Sequence, residues 1–259
     1  IGNIKVSRVV ESEGPFAPID VFFPDVEREV IEANRDWLMP RFIDPATEMI
    51  ILNIQSYVLR TAHHTILVDT CVGNHKERPG RASFHQLNLP YLADLAAAGV
   101  QPEDVDFVMC THLHVDHVGW NTMLVDDQWI PTFPNARYLM GKKEYEYWDS
   151  ADEDELNGGL MDDSVRPVFN AGLVDLVEMN HQICEEVYLE PTTGHTPGHV
   201  SVHIESEGEE ALITGDCIHH PCQIEKMDWA SSADYDQEAS TAKSTRFAVC
   251  LTRTLRCKS

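Results

Sequence analysis

Positive charge is scarce in this 259-residue chain, where 19 Lys and Arg stand against 43 Asp and Glu for a formal charge of -24. Binding a polyanion relies on Lys and Arg replacing condensed counterions, so nucleic acid is excluded as an expected partner. No uninterrupted apolar run of about 18 residues occurs, which leaves no predicted membrane span. The first residues are not expected to be a secretory leader, because Lys5, Arg8 and Glu11 interrupt any apolar core there. The seven cysteines lack CxxC spacing, and an odd, scattered set points to reduced thiols and a cytoplasmic location. A GxSxG elbow is missing, which weighs against a serine nucleophile. With neither an internal repeat nor a low-complexity linker, residues 1–259 read as one domain.

The remaining composition, 43% apolar and 24% charged, is that of a globular enzyme. Its chemistry concentrates in Thr111-His112-Leu113-His114-Val115-Asp116-His117, directly after the apolar residues Val105, Phe107, Val108, Met109 and Cys110. Imidazole is the commonest transition-metal ligand, and alternate positions of an extended segment point the same way, so His112 and His114 are expected to face one ion. Asp116 and His117 are then free for a second. Downstream, Gly194-His195-Thr196-Pro197-Gly198-His199 is a tight loop after the apolar Val187, Tyr188 and Leu189. His199 is assigned as the third imidazole of the first ion, and His195 as a hydrogen-bonding support for a ligand. The strand Ala211-Leu212-Ile213-Thr214 ends in Gly215-Asp216, whose two carboxylate oxygens suit a bridge between two cations.

In this order, the HxHxDH run, the GHTPGH loop and the strand ending in Gly215-Asp216 resemble the metallo-β-lactamase-fold hydrolase superfamily, over residues 48–220. The resemblance implies an αββα sandwich of the α/β class and a pair of zinc ions, with manganese or iron as alternatives. It also implies a hydrolase in which hydroxide held at the metals attacks a small-molecule substrate. Asp69, closing the segment Thr65-Ile66-Leu67-Val68-Asp69, matches the family's hairpin acid near the metals and is expected to orient a ligand imidazole. Members of the family include lactonases, esterases, thioesterases, β-lactamases, phosphotriesterases, nucleases and iron-dependent oxidoreductases. A neutral, partly apolar substrate suits the acidic chain best, so a small carboxylic ester or lactone is expected. β-Lactam or phosphotriester hydrolysis, iron-dependent oxidation and an impaired binding protein are the alternatives.

The departures from the family pattern also carry expectations. No histidine follows His220, whereas the family completes its second metal with one near the C-terminus. Residues 241–259 read as an atypical or truncated segment, and Ile1 as the start of a fragment. The second ion is therefore expected to bind weakly, or to be completed by His219 or His220, which otherwise support a ligand or touch substrate. Asp116 is expected to orient the nucleophile or pass a proton. Trp120 is expected to line the pocket, and Cys217 to be a buried thiol.

Around these motifs, strands are expected at 4–10, 137–140, 174–179 and 200–204, with helices at 91–99 and 142–148. Residues 15–45 carry Phe16, Phe22, Phe23, Trp37 and Phe42 among prolines, and are expected to pack into the core or a homodimer contact, or to wall the pocket. The acidic stretch 149–163 reads as a surface excursion.

Overall fold

The computed structural model describes residues 1–151 and 158–242. Its strands are β1 (Lys5–Pro18), β2 (Met49–Arg60), β3 (Thr65–Val68), β4 (Phe107–Cys110), β5 (Thr122–Val125), β6 (Gln128–Pro131), β7 (Arg137–Gly141), β8 (Val174–Val177), β9 (Gln182–Cys184), β10 (Val187–Pro191), β11 (Val200–Ser206) and β12 (Glu209–Ile213). One sheet has the order β1-β2-β3-β4-β7-β8, a second the order β12-β11-β10-β9, and β5 pairs with β6. The first sheet is antiparallel at β1-β2-β3 and parallel from β3 through β8.

Alternation along the central strands explains the layering. Ile66, Val68, Met109 and Leu139 point toward Val187, Leu189, Val200, Val202 and Ile204 of the second sheet. The intervening Leu67, Val108, Cys110, Tyr138 and Met140 point the other way, onto Tyr91, Leu95, Val165 and Val168 of the covering helices. The central strands are thus buried on both faces, which is why they read as unbroken apolar runs. A slip of one residue would exchange these two sets of side chains, each contributing about 1.5–3 kcal/mol when fully buried.

Strand β1 runs further than the expected 4–10. It accommodates Pro15 and Pro18 through register shifts at Val10/Ser12 and Pro15/Ala17, so the prolines fall at irregular points of an edge strand. The expected helix at 91–99 forms over Tyr91–Ala97 and ends before Gly99 at φ +81°. Residues 15–45 build a third apolar cluster, in which Ile19, Phe22, Phe23, Leu38 and Ile43 pack with Ile50, Cys222 and Trp229. Phe16, Phe22 and Phe42 also line cavities, so this segment serves both as core and as pocket wall.

The stretch 149–163 corrects an expectation at its far end. Asp163 is buried and holds the Arg78 guanidinium with both oxygens, at 2.7 and 2.8 Å, so it is an interior ion-pair partner and not a surface residue. Residues 152–157 of that stretch, and 243–259 of the atypical C-terminal segment, lie outside the described residues. No helix among the described residues is long and apolar enough to cross a membrane.

Candidate metal centre

The end of β4 and the short helix Val115–Val118 present His112, His114, Asp116 and His117 from the first sheet. The loops after β10 and β12 bring His195, Asp216 and His219 from the second. Two contacts hold these halves in place. Gly119 lies so close to the segment after β3 that a Cβ there would sit 1.8 Å from the Val72 carbonyl oxygen. Only glycine permits that approach. On the other side, the buried Glu144 carboxylate accepts hydrogen bonds from the Leu113 and Gly198 backbone N–H groups at 3.0 and 2.9 Å. It also accepts from the Thr196 hydroxyl at 2.8 Å and the Trp148 indole at 2.7 Å. One carboxylate therefore spans both histidine loops.

Three imidazole nitrogens converge. His114 Nδ1 lies 2.9 Å from His112 Nε2 and 2.9 Å from His195 Nε2. His195 donates its Nδ1–H to Asp234 Oδ1 at 3.0 Å, which fixes its tautomer and leaves the Nε2 lone pair facing the cluster. Burial first, and then the neighbouring imidazoles, push the pKa values of His112 and His114 well below the ordinary histidine value. These rings are neutral donors with lone pairs aimed at one point, which suits a shared cation.

A second set adjoins the first. His117 Nε2 lies 3.3 Å from Asp216 Oδ1, while Asp216 Oδ2 lies 3.5 Å from both His195 Nε2 and His219 Nε2. The two oxygens of Asp216 thus face different imidazole sets, and ligand atoms of His112, His117 and Asp216, and of His195, Asp216 and His219, form groups within 4.8 Å. Burial works against charge on His117, but Asp216, Asp69 and Asp116 outweigh it and raise its pKa well above the ordinary value. Asp69 behaves as expected: its Oδ2 accepts from His117 Nδ1 at 2.9 Å, and its Oδ1 accepts from the Thr111 N–H at 2.7 Å. Asp116 stands 3.9 Å from His117 Nε2, and burial raises its pKa.

Both ring nitrogens of His219 are buried without a hydrogen-bond partner among the described residues. Such orphaned buried polar atoms are costly, and an ion beside Asp216 would satisfy one of them. The neutral nitrogens, the carboxylate with two facing oxygens and this orphan together fit a pair of divalent cations, with zinc the best match to nitrogen-rich ligation.

Three assignments are corrected. His199 does not join any metal-compatible group among the described residues. Its Nε2 accepts the Asp216 backbone N–H at 3.0 Å, and its Nδ1–H meets the Thr192 hydroxyl at 2.8 Å, so its lone pair is already committed. Burial and then His195 bring its pKa to about 3, keeping it neutral. His195 occupies the place expected of His199. Trp120 lines neither of the two cavities at the site: it stacks on Tyr91 and donates to Glu11 Oε1 at 2.7 Å within the core. His220 is separated from His219 in role, accepting from the Cys222 N–H at 3.2 Å and donating to the Phe42 carbonyl at 2.8 Å. Glu144, Glu11 and Asp234 were not singled out from sequence. Cys217 is a buried thiol, as expected.

A sequence model of the metallo-beta-lactamase superfamily matches residues 50–248. The chain belongs to this superfamily. An N-acyl homoserine lactonase of Bacillus sp. is 29% identical over 172 residues, which span 62% of this chain and 61% of that protein. Less than two thirds of that relative's length is thus matched. Among solved structures, a probable metal-dependent hydrolase from Staphylococcus aureus has a TM-score of 0.75 at 20% identity, covering 95% of this chain and 84% of the other. AidC, a dizinc quorum-quenching lactonase solved with the product N-hexanoyl-L-homoserine, gives 0.72 at 21% identity, covering 95% and 83%. The fold is the αββα sandwich of this superfamily.

Proposed function

We propose that this protein is a metal-dependent hydrolase of a lactone or a small carboxylic ester. The observation that carries the reading is the convergence of His112 Nε2, His114 Nδ1 and His195 Nε2 at 2.9 Å separations beside Asp216. The similarity to proteins named N-acyl homoserine lactonase favours the lactone within this class. In this reading His112, His114 and His195 would hold one divalent ion. Asp116 and His117 would hold the other, Asp216 would serve both with its two oxygens, and His219 would add a donor beside Asp216. When bound, the pair supplies Lewis acidity toward the substrate carbonyl and brings water within reach of deprotonation near neutral pH.

The chain's own groups do the rest. Asp69 and Asp234 fix the tautomers of His117 and His195, so that their Nε2 atoms face inward. Two cavities of about 550 and 390 Å³ meet at the site, and Asp116, Asp216 and His219 line both. The two halves of a cleaved ester, or the ring and the chain of a lactone, therefore have separate places. Asp116, shared by both cavities, is positioned to accept a proton from the nucleophilic water and return it to the leaving oxygen.

Chelation should abolish turnover on a panel of acyl lactones and p-nitrophenyl esters, and zinc or manganese should restore it. Full activity in metal-free protein overturns the proposal, and turnover confined to lactam or phosphotriester substrates reassigns the reaction. Asp116→Asn should lower kcat by about a hundred-fold or more while the first ion stays bound.

A further inference from the structure

Two arginines three residues apart, in the segment between β3 and the helix Tyr91–Ala97, have opposite surroundings. Arg78 is 1% exposed and is neutralised by both oxygens of Asp163. Arg81 is half-buried, and among the described residues its guanidinium donates no hydrogen bond and forms no ion pair. It stacks instead over the Phe16 and Phe84 rings, with Cζ at 4.2 and 5.1 Å from their centroids. Aromatic faces hold a guanidinium in one plane without using its N–H donors. That plane forms part of the wall of the 390 Å³ cavity, together with Phe22, Leu52 and Phe84, and the same cavity reaches His114, Asp116 and Asp216.

Among the described residues Arg78 has a hydrogen-bonded carboxylate and Arg81 has none, Asp116 of the same cavity acting on it only through space. A half-buried guanidinium fixed in one plane keeps its N–H donors available to a ligand that enters the cavity. The donor geometry states what that ligand is. A planar guanidinium fork pairs two parallel N–H bonds with the two oxygens of a carboxylate. The cavity is otherwise mostly apolar, which suits a short hydrocarbon spacer between that carboxylate and the scissile carbonyl. We propose that Arg81 is the specificity-determining residue of this site and selects a monoanionic ester or lactone whose acyl portion ends in a carboxylate. The proposal rests on the hydrolase reading above, which it refines from any ester or lactone to an acidic one.

A matched substrate pair tests it on the zinc-loaded protein: mono-p-nitrophenyl glutarate, ending in a carboxylate, against p-nitrophenyl pentanoate, of equal length and ending in a methyl group. KM should be about ten-fold or more lower for the glutarate ester, as expected of a hydrogen-bonded charge pair. Arg81→Met should collapse that ratio toward one. A ratio near one in the unsubstituted protein, or one that Arg81→Met leaves intact, overturns the assignment. Should Arg81→Met not fold, Arg81→Lys keeps charge and stem but loses the fork; an intermediate ratio supports paired recognition and an unchanged ratio overturns it.

Calorimetry separates this proposal from the hydrolase reading, because the amide analogues glutaranilic acid and pentananilide require no turnover. If neither ester is cleaved yet glutaranilic acid binds more tightly and does so only with Arg81 present, the hydrolase reading falls and the carboxylate site stands. If both esters are cleaved and the two amides bind alike, the hydrolase stands and the carboxylate site falls.

Discussion

His199 accepts the backbone N–H of Asp216 through Nε2 at 3.0 Å, so the histidine closing the GHTPGH loop positions the strand-end carboxylate. His195, four residues earlier, is left to face the cluster. The two histidines should therefore separate in a metal-binding experiment. His195→Ala removes an imidazole donor and should weaken the first ion by well over the ~10–100-fold that loss of a supporting partner costs. His199→Ala should stay within that range. Metal analysis after dialysis against graded chelator distinguishes them, and equal losses would return His199 to the ligand set.

His219 and His220 make a second pair with divergent roles. His219→Ala should lower occupancy of the second ion more than that of the first, since among the described residues its nitrogens have no hydrogen-bond partner. His220→Ala should leave metal stoichiometry unchanged and instead lower stability by ~1–3 kcal/mol, because it orphans the Phe42 carbonyl and the Cys222 N–H. Titration calorimetry and urea denaturation read the two effects. Loss of metal in His220→Ala alone would reverse the assignment.

Glu144 should be among the most sensitive positions outside the proposed ligand set. Glu144→Ala leaves four donors from Leu113, Trp148, Thr196 and Gly198 unpaired. At ~1–3 kcal/mol for each buried group left unsatisfied, the loss should be at least about 3 kcal/mol even in metal-free protein. Glu144→Gln retains shape but turns an amide donor toward other donors, and should recover only part of it. A change below about 1 kcal/mol in either variant, by denaturant midpoint, contradicts the clamp.

The pH dependence of folding should carry a signature of Lys76. Burial lowers its pKa from 10.5 to about 7, against the opposing pull of Asp163. Between these values the unfolded chain binds a proton that the folded chain does not, so stability rises with pH across the window and the lysine is most unfavourable below pH 7. Lys76→Met removes this contribution. The difference in unfolding free energy between the two proteins should change steadily from pH 7 toward 10.5 and level off below pH 7. A constant difference across that range would show that the lysine is not depressed.

Much of this was legible in sequence because the relevant neighbours were neighbours in the chain. The HxHxDH residues sit within one turn-and-strand unit, and unbroken apolar runs such as 66–68 and 107–110 mark strands buried on both faces. The choice between His195 and His199 was not legible. It depends on which nitrogen Asp234 and the Asp216 backbone N–H already occupy, and those partners are 39 and 17 residues away. Glu144 and Glu11 were hidden for a different reason: among 43 acidic residues, nothing local marks the few that turn inward to collect backbone donors. Trp120 was placed in the pocket by its proximity to the histidines, yet its indole N–H needed an acceptor and found Glu11, 109 residues earlier.

The candidate histidine and carboxylate donors are divided between the two sheets, so cations held there would be structural rivets as well as reagents. An ion gripping His112 and His114 from one layer and His195 from the other would span a seam otherwise closed by apolar packing and by the Glu144 clamp. Whatever binds only the assembled sandwich draws the folding equilibrium toward it by mass action. In the proposed holoprotein the melting temperature would become a readout of free metal concentration, and starvation for the ion would be felt as fragility of the whole sandwich before it is felt as slow turnover.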